Sequence, residues 1–182
     1  MARAASQGSL ERTFLQIIRG GVFVLAFVPL IVAGKSFFPY ITGKNFLFRI
    51  VVEIIGSLWV ALAITNKNYR PSRGAIFWAL VIFIAVASLA TVFGADPYRS
   101  FWSNYERMEG LVTYLHLFWL FLVVGTVFKT DRDFARLFLV SLGVSALVSI
   151  WGILEKFQLV TSLTGGGRIF STLGNSIYLA VY

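Results

Sequence analysis

The sequence predicts an all-α fold: a polytopic bundle of transmembrane helices forming a single transmembrane domain over residues 1–182. Three observations carry the prediction. Hydrophobic residues make up 58% of the chain and charged residues 13%, against roughly 45–50% and 25% in soluble domains. Mean hydropathy is +0.80. The apolar residues fall into five runs, each near the ~20 residues that a tilted helix needs to cross a bilayer. Helix is then forced, because an open strand leaves backbone groups unpaired in lipid.

In order, residues 1–12 are short, polar and basic, and Ser9 reads as a helix cap. The first apolar run, 14–33, contains Gly20, Gly21 and Pro29, all tolerated in membrane helices. It lacks the small-residue cleavage site of a signal peptide, which favours a retained span. Residues 35–45 form a loop with Pro39 and Gly43. The second span is 46–64. A basic turn with Pro71 and Gly74 as breakers precedes the third span, 75–93. The fourth is 111–128. Thr130 with Asp133 three residues on signals the start of the fifth, 134–153. Gly165, Gly166 and Gly167 form either a plain linker or a gating hinge. A sixth apolar segment starts near Leu173 and reaches Tyr182, so the expectation is five complete spans plus the start of a sixth. That pattern reads as the amino-terminal part of a longer protein.

The net charge of +8 does not point to nucleic acid. The basic residues sit in short clusters between apolar runs, a pattern of topology and lipid headgroups. With the amino terminus in the cytoplasm, nine basic residues fall on that side and seven on the other, and both cytoplasmic connections are short and carry three each. The positive-inside rule favours this orientation. The connections at 94–110 and 155–172 then face outward. The absence of cysteine excludes disulfides and thiol chemistry. A single histidine argues against a histidine-rich metal site, and neither metal nor cofactor is expected.

Residues 94–116 concentrate polar chemistry between apolar runs, as functional loops do. Asp96 and Pro97 read as a turn or helix start. Tyr98, Phe101, Trp102 and Tyr105 share one side of a short interfacial helix. They serve either as an aromatic belt or as faces for sugar rings. Arg99 and Arg107 either pair locally with Asp96, Glu106 and Glu109 or form an anion site, because arginine matches phosphate oxygens bidentately. Arg49 and Glu53, four apart on one helix face, form a buried polar pair that is either structural or lines a cavity. His116, two turns into the fourth span, either bonds a neighbouring helix or relays protons. No Ser-His-Asp, paired-carboxylate or metal-ligand spacing appears.

Residues 94–116, together with Gly167-Arg168-Ile169-Phe170-Ser171-Thr172-Leu173-Gly174-Asn175-Ser176 and the helix that follows, resemble the O-antigen ligase and O-antigen polymerase family of bacterial membrane glycosyltransferases. The family pattern is an Arg, then Gly-Thr-hydrophobic-Gly-Asn-Pro and an Ala-rich helix. Arg168, Gly174 and Asn175 match. Ser171 stands where Gly is usual and Ser176 where Pro is usual.

The resemblance implies a multi-pass enzyme of the bacterial inner membrane, acting in lipopolysaccharide or other cell-surface polysaccharide biosynthesis. The donor is a glycan on undecaprenyl diphosphate at the outer leaflet. The acceptor is a glycan or lipid-borne sugar hydroxyl, and membrane lipids are the other partners. The family works without a metal ion, so arginines stabilise the leaving diphosphate. Arg168 is the first diphosphate contact implied, with Arg99 and Arg107 next and Asn175 and Trp102 lining the site. The family's catalytic histidine lies in a second half, so the catalytic residues are not assigned here. Two other readings stay open: a transporter or flippase of lipid-linked or anionic solutes, and a non-catalytic membrane scaffold.

Overall fold

A computed structural model describes residues 2–104, 106–161 and 168–182, with side chains from residue 8 onward. Every regular element among the described residues is helical. The helices are α1 (Ala2–Ala26), α2 (Thr42–Thr65), α3 (Ala75–Val92), α4 (Pro97–Trp102), α5 (Leu111–Val127), α6 (Asp131–Lys156) and α7 (Ser176–Val181), with short 3-10 turns at Val28–Leu30, Lys67–Tyr69 and Ser171–Leu173. By length and composition, α2, α3 and α6 are able to cross a membrane, and α5 is a shorter apolar helix.

The boundaries depart from the sequence expectations for physical reasons. The first apolar run is not one helix to residue 33. It stops at Ala26 and passes into the turn Val28–Leu30, because Pro29 has no N–H and its ring clashes with the preceding turn. Ser9 is not a cap. The helix starts at Ala2, and the Ser9 carbonyl accepts from the Thr13 hydroxyl one turn on. α2 starts at Thr42, inside the expected loop. α6 starts at Asp131, as the Thr130 signal suggested, and places Asp131 and Asp133 in its first turn, where the helix dipole favours acids.

The chain forms two compact units. The first comprises Met1–Val22 and Arg49–Thr130. Its core is built by Ile18 and Val22 of α1, by Val52, Ile55, Trp59 and Leu62 of α2, and by Leu111, Val112, Val123 and Val127 of α5. The α2 positions recur at intervals of three and four, the stripe that one helix face presents to its neighbours. In contrast, α3 leaves Ile76, Ile82, Val86, Leu89 and Val92 exposed, which suits a helix whose solvent is lipid. One end of this unit is tied by polar contacts. The Tyr69 hydroxyl and Asn66 Nδ2 both donate to Glu11 Oε1, at 2.8 and 3.2 Å. Trp59 Nε1 donates to the Tyr69 carbonyl, and Lys129 Nζ to that of Asn68. Burial, then the bond to Glu11, holds the Tyr69 phenol protonated above its ordinary range.

The second unit comprises Phe23–Phe48 and Asp131–Tyr182. Here α6 packs on the turns Val28–Leu30 and Ser171–Leu173 and buries Val144, Val148 and Gly152.

Candidate functional site

The strongest candidate lies in the first unit, at the end opposite the Glu11 cluster. A cavity of about 260 Å³ is lined by Arg49, Tyr98, Trp102, Ser103, Asn104 and Met108. The chain between α4 and α5 builds it. The Asp96 carboxylate accepts from the Arg99 N–H at 3.0 Å and caps α4, and Pro97 occupies the first helical turn, where its missing N–H costs nothing. α4 ends after six residues because Ser103 turns to φ 65°. Asn104 Oδ1 then accepts from the Arg107 N–H at 2.8 Å. Met108 also takes a positive φ, 54°, which sets its carbonyl beside Arg49. Two non-glycine residues in left-handed backbone within six positions store strain, and such strain gathers at functional sites.

Arg49 forms the floor. The residue is only 8% exposed. Its Nη2 donates to the Met108 carbonyl at 2.6 Å and to Thr113 Oγ1 at 3.2 Å, and Thr113 Oγ1 in turn donates to the same carbonyl at 2.9 Å. The Arg49 Nε is buried and has no hydrogen-bond partner, an uncommon state for a charged side chain. A planar cation at the base of a cleft, with Tyr98 and Trp102 on its walls, has the chemistry to hold a small anion next to an apolar or sugar face.

One turn further along α2, Glu53 Oε1 lies 3.1 Å from His116 Nε2, and His116 Nδ1 lies 2.7 Å from the Val112 carbonyl oxygen. Arg49 and Glu53 thus share a helix face as expected, but each takes its hydrogen-bonding partners from across the unit. Only Arg49 is buried; the Glu53 side chain is 60% exposed.

The second unit holds a separate polar cluster. Glu155 Oε2 accepts from the N–H groups of Phe170 and Ser171, at 3.1 and 2.6 Å. The Ser171 hydroxyl donates to the Val148 carbonyl at 2.7 Å. Lys44 Nζ donates to the Thr172 carbonyl. Ser171 has φ 49° and Gly174 φ 72°. Asn175 Oδ1 accepts from the Ile177 N–H at 2.8 Å, which makes it the cap of α7.

The residues expected to share a site are distributed as follows. Trp102 lines the cavity. Arg99 and Arg107 lie near it in the same unit, both exposed. Arg168 is exposed and Asn175 half-buried, both in the second unit. The hinge proposed at 165–167 and the aromatic Tyr105 fall outside the described residues. Tyr98 lines the cavity as one of the aromatics expected either in a belt or as sugar faces, whereas Ser103, Asn104 and Met108 were not singled out as ligand contacts. Met108 contributes through its backbone, which no residue-type signal reveals, whereas the dense aromatic and polar run at 98–104 was legible. Among the described residues no group of three or more His, Asp or Glu side chains is placed to hold a metal. No family model, curated protein or solved structure matches the chain.

Proposed function

We propose that the chain acts as a glycan ligase or polymerase of the O-antigen type in the bacterial inner membrane. It takes an undecaprenyl-diphosphate-linked glycan on the extracytoplasmic side and passes it to an acceptor sugar hydroxyl. The acceptor hydroxyl oxygen bonds to the anomeric carbon and releases its proton to the medium, the bond from that carbon to the diphosphate breaks with its electron pair on the leaving oxygen, and arginine cations offset the charge on the leaving group. On this reading the amino terminus is cytoplasmic. α1 with its extension, α2, α3, α5 and α6 make five spans, and α7 begins the sixth.

One observation carries the proposal. At the three places where the family pattern asks for Gly, Gly and Pro, the backbone has the conformations those residues serve. Ser171 sits at φ 49° and Gly174 at φ 72°, the region glycine enters without cost. Ser176 is the first helical residue after the Asn175 cap, the position proline favours. The backbone at both serine departures is thus of the kind that the pattern's Gly and Pro favour, which supports the reading. The arginine-floored cavity with aromatic walls is a second support, because it suits a diphosphate beside a sugar.

The test is Arg168→Ala in cells that depend on this protein for a surface glycan. Transfer is expected to be lost while the protein stays at its normal level in the membrane. Wild-type transfer by the variant sinks the assignment.

A further inference from the structure

We propose that the Arg49 cavity holds the phosphate group of a membrane lipid, with Arg49 as the anion-binding residue. The site lies wholly in the first unit and does not need the transfer reaction. Arg49 lies in α2 and is buried, and a buried charge is costly until an opposite charge and hydrogen bonds compensate it. Its Nη2 bonds two neutral oxygens, the Met108 carbonyl and Thr113 Oγ1, while its Nε is buried without a partner. Among the described residues no carboxylate forms an ion pair with it. Glu53, one turn along the helix, attracts it only at longer range; the Glu53 side chain is largely exposed and sets Oε1 against His116 Nε2. Arg49 is thus a buried cation short of an anion, in the wall of a cavity.

The lining selects the ligand. Of the six residues around the cavity, Arg49, Tyr98, Trp102, Ser103 and Asn104 carry side-chain N–H or O–H donors, and none is an acid. Asn104 Oδ1 is engaged with the Arg107 N–H, which leaves its amide nitrogen to donate. The neighbouring acids stand outside the space. Asp96 caps α4, and Glu106 and Glu109 are exposed. Several donors around one guanidinium suit an anion with several oxygens. The aromatic walls point to an amphiphile. Tyr98 and Trp102 are both exposed, and such rings settle at the bilayer interface, the level at which lipid phosphates lie. α3 packs on α4 and α5, and Leu89, Val92 and the following Phe93 are exposed at its end, an apolar surface for lipid chains. The cavity, about 260 Å³, is smaller than the roughly 300–1,000 Å³ that encloses a drug-sized ligand. It therefore admits a headgroup and leaves the chains outside.

The experiment is native mass spectrometry of the purified protein in detergent. Separate arms offer phosphatidylglycerol, undecaprenyl diphosphate, a glycosyl diacylglycerol without phosphate, and inorganic phosphate. The wild type is expected to retain a phosphate-bearing lipid and not the phosphate-free one, and the lipid retained names the source of the phosphate. Arg49→Met is expected to lower that retention about tenfold or more, through loss of bonds to a charged group. Asn104→Asp keeps an acceptor for the Arg107 N–H and puts a carboxylate in the lining, so it too is expected to lose the lipid. If Arg49→Met does not fold, Asn104→Asp decides. Retention by Asn104→Asp or by folded Arg49→Met equal to the wild type overturns the proposal. So does equal retention of the phosphate-free lipid, or failure to retain either phosphate-bearing lipid. Uptake of inorganic phosphate without either lipid means an adventitious ion only and overturns it as well.

Discussion

At residue 176 the backbone asks for a side chain that the sequence does not supply. Ser176 opens α7 and follows Asn175, whose φ of −151° and ψ of 129° are the extended values a residue before proline prefers. Ser176→Pro is therefore expected to raise the thermal stability of the second unit, by about 0.4–1 kcal/mol through loss of unfolded-state freedom. Thermal denaturation in detergent measures it, and a fall in melting temperature contradicts the placement of the helix start. Gly174→Ala runs the other way. A Cβ there would overlap the Tyr40 ring, and φ 72° is left-handed. Together these cost about 2 kcal/mol or more, read in the same experiment. Both positions were marked in the sequence only through the family resemblance, since the apolar run itself placed the segment's start near Leu173. Asn175 shows how local signals overlap. It was expected to contact substrate, but its Oδ1 is engaged in capping α7. A cap and a ligand contact draw on the same residue types, and only geometry separates them.

At the scale of elements, the connection from α4 to α5 is held by a close approach as much as by hydrogen bonds. A Cβ on Gly110 would run into the Phe101 carbonyl oxygen and approach the Ser103 nitrogen to 2.7 Å. These are backbone atoms that cannot step aside. Gly110→Ala is therefore expected to push α4 off the start of α5 and open the cavity. Tryptophan fluorescence reports this as a red shift from Trp102, with a destabilisation of about 1–3 kcal/mol. An unchanged spectrum and stability contradict the close contact. Apolar run length correctly located α3, α5 and α6, since lipid leaves one solution for a long apolar segment. Run length failed at α1, where Pro29 divides an apolar stretch that composition alone reads as continuous. It failed again at α2, whose first turn is polar and so looked like loop.

For the whole molecule, apolar helices indicate a membrane protein, and orientation rests on the basic residues. Nine against seven is a narrow margin. Ser103→Cys is expected to react with a membrane-impermeant thiol reagent in intact cells, with no background because the native chain lacks cysteine. Labelling only after lysis reverses the topology and moves the Arg49 cavity to the cytoplasmic side. Composition alone made the all-helical architecture legible. The cavity was only partly legible, since Trp102 and Tyr98 announce themselves, while the Met108 carbonyl beside Arg49 depends on the backbone turns at Ser103 and Met108.

The central claim is group transfer from a lipid diphosphate, and its most direct measurement is stoichiometric. Proteoliposomes containing the protein, the cell's own undecaprenyl-diphosphate-linked glycan and its acceptor are followed for both products at once. The predicted result is one undecaprenyl diphosphate released for each glycan joined to the acceptor, with no release when acceptor is omitted. Movement of intact lipid-linked glycan across the bilayer without release of the diphosphate lipid contradicts the claim and makes the protein a transporter.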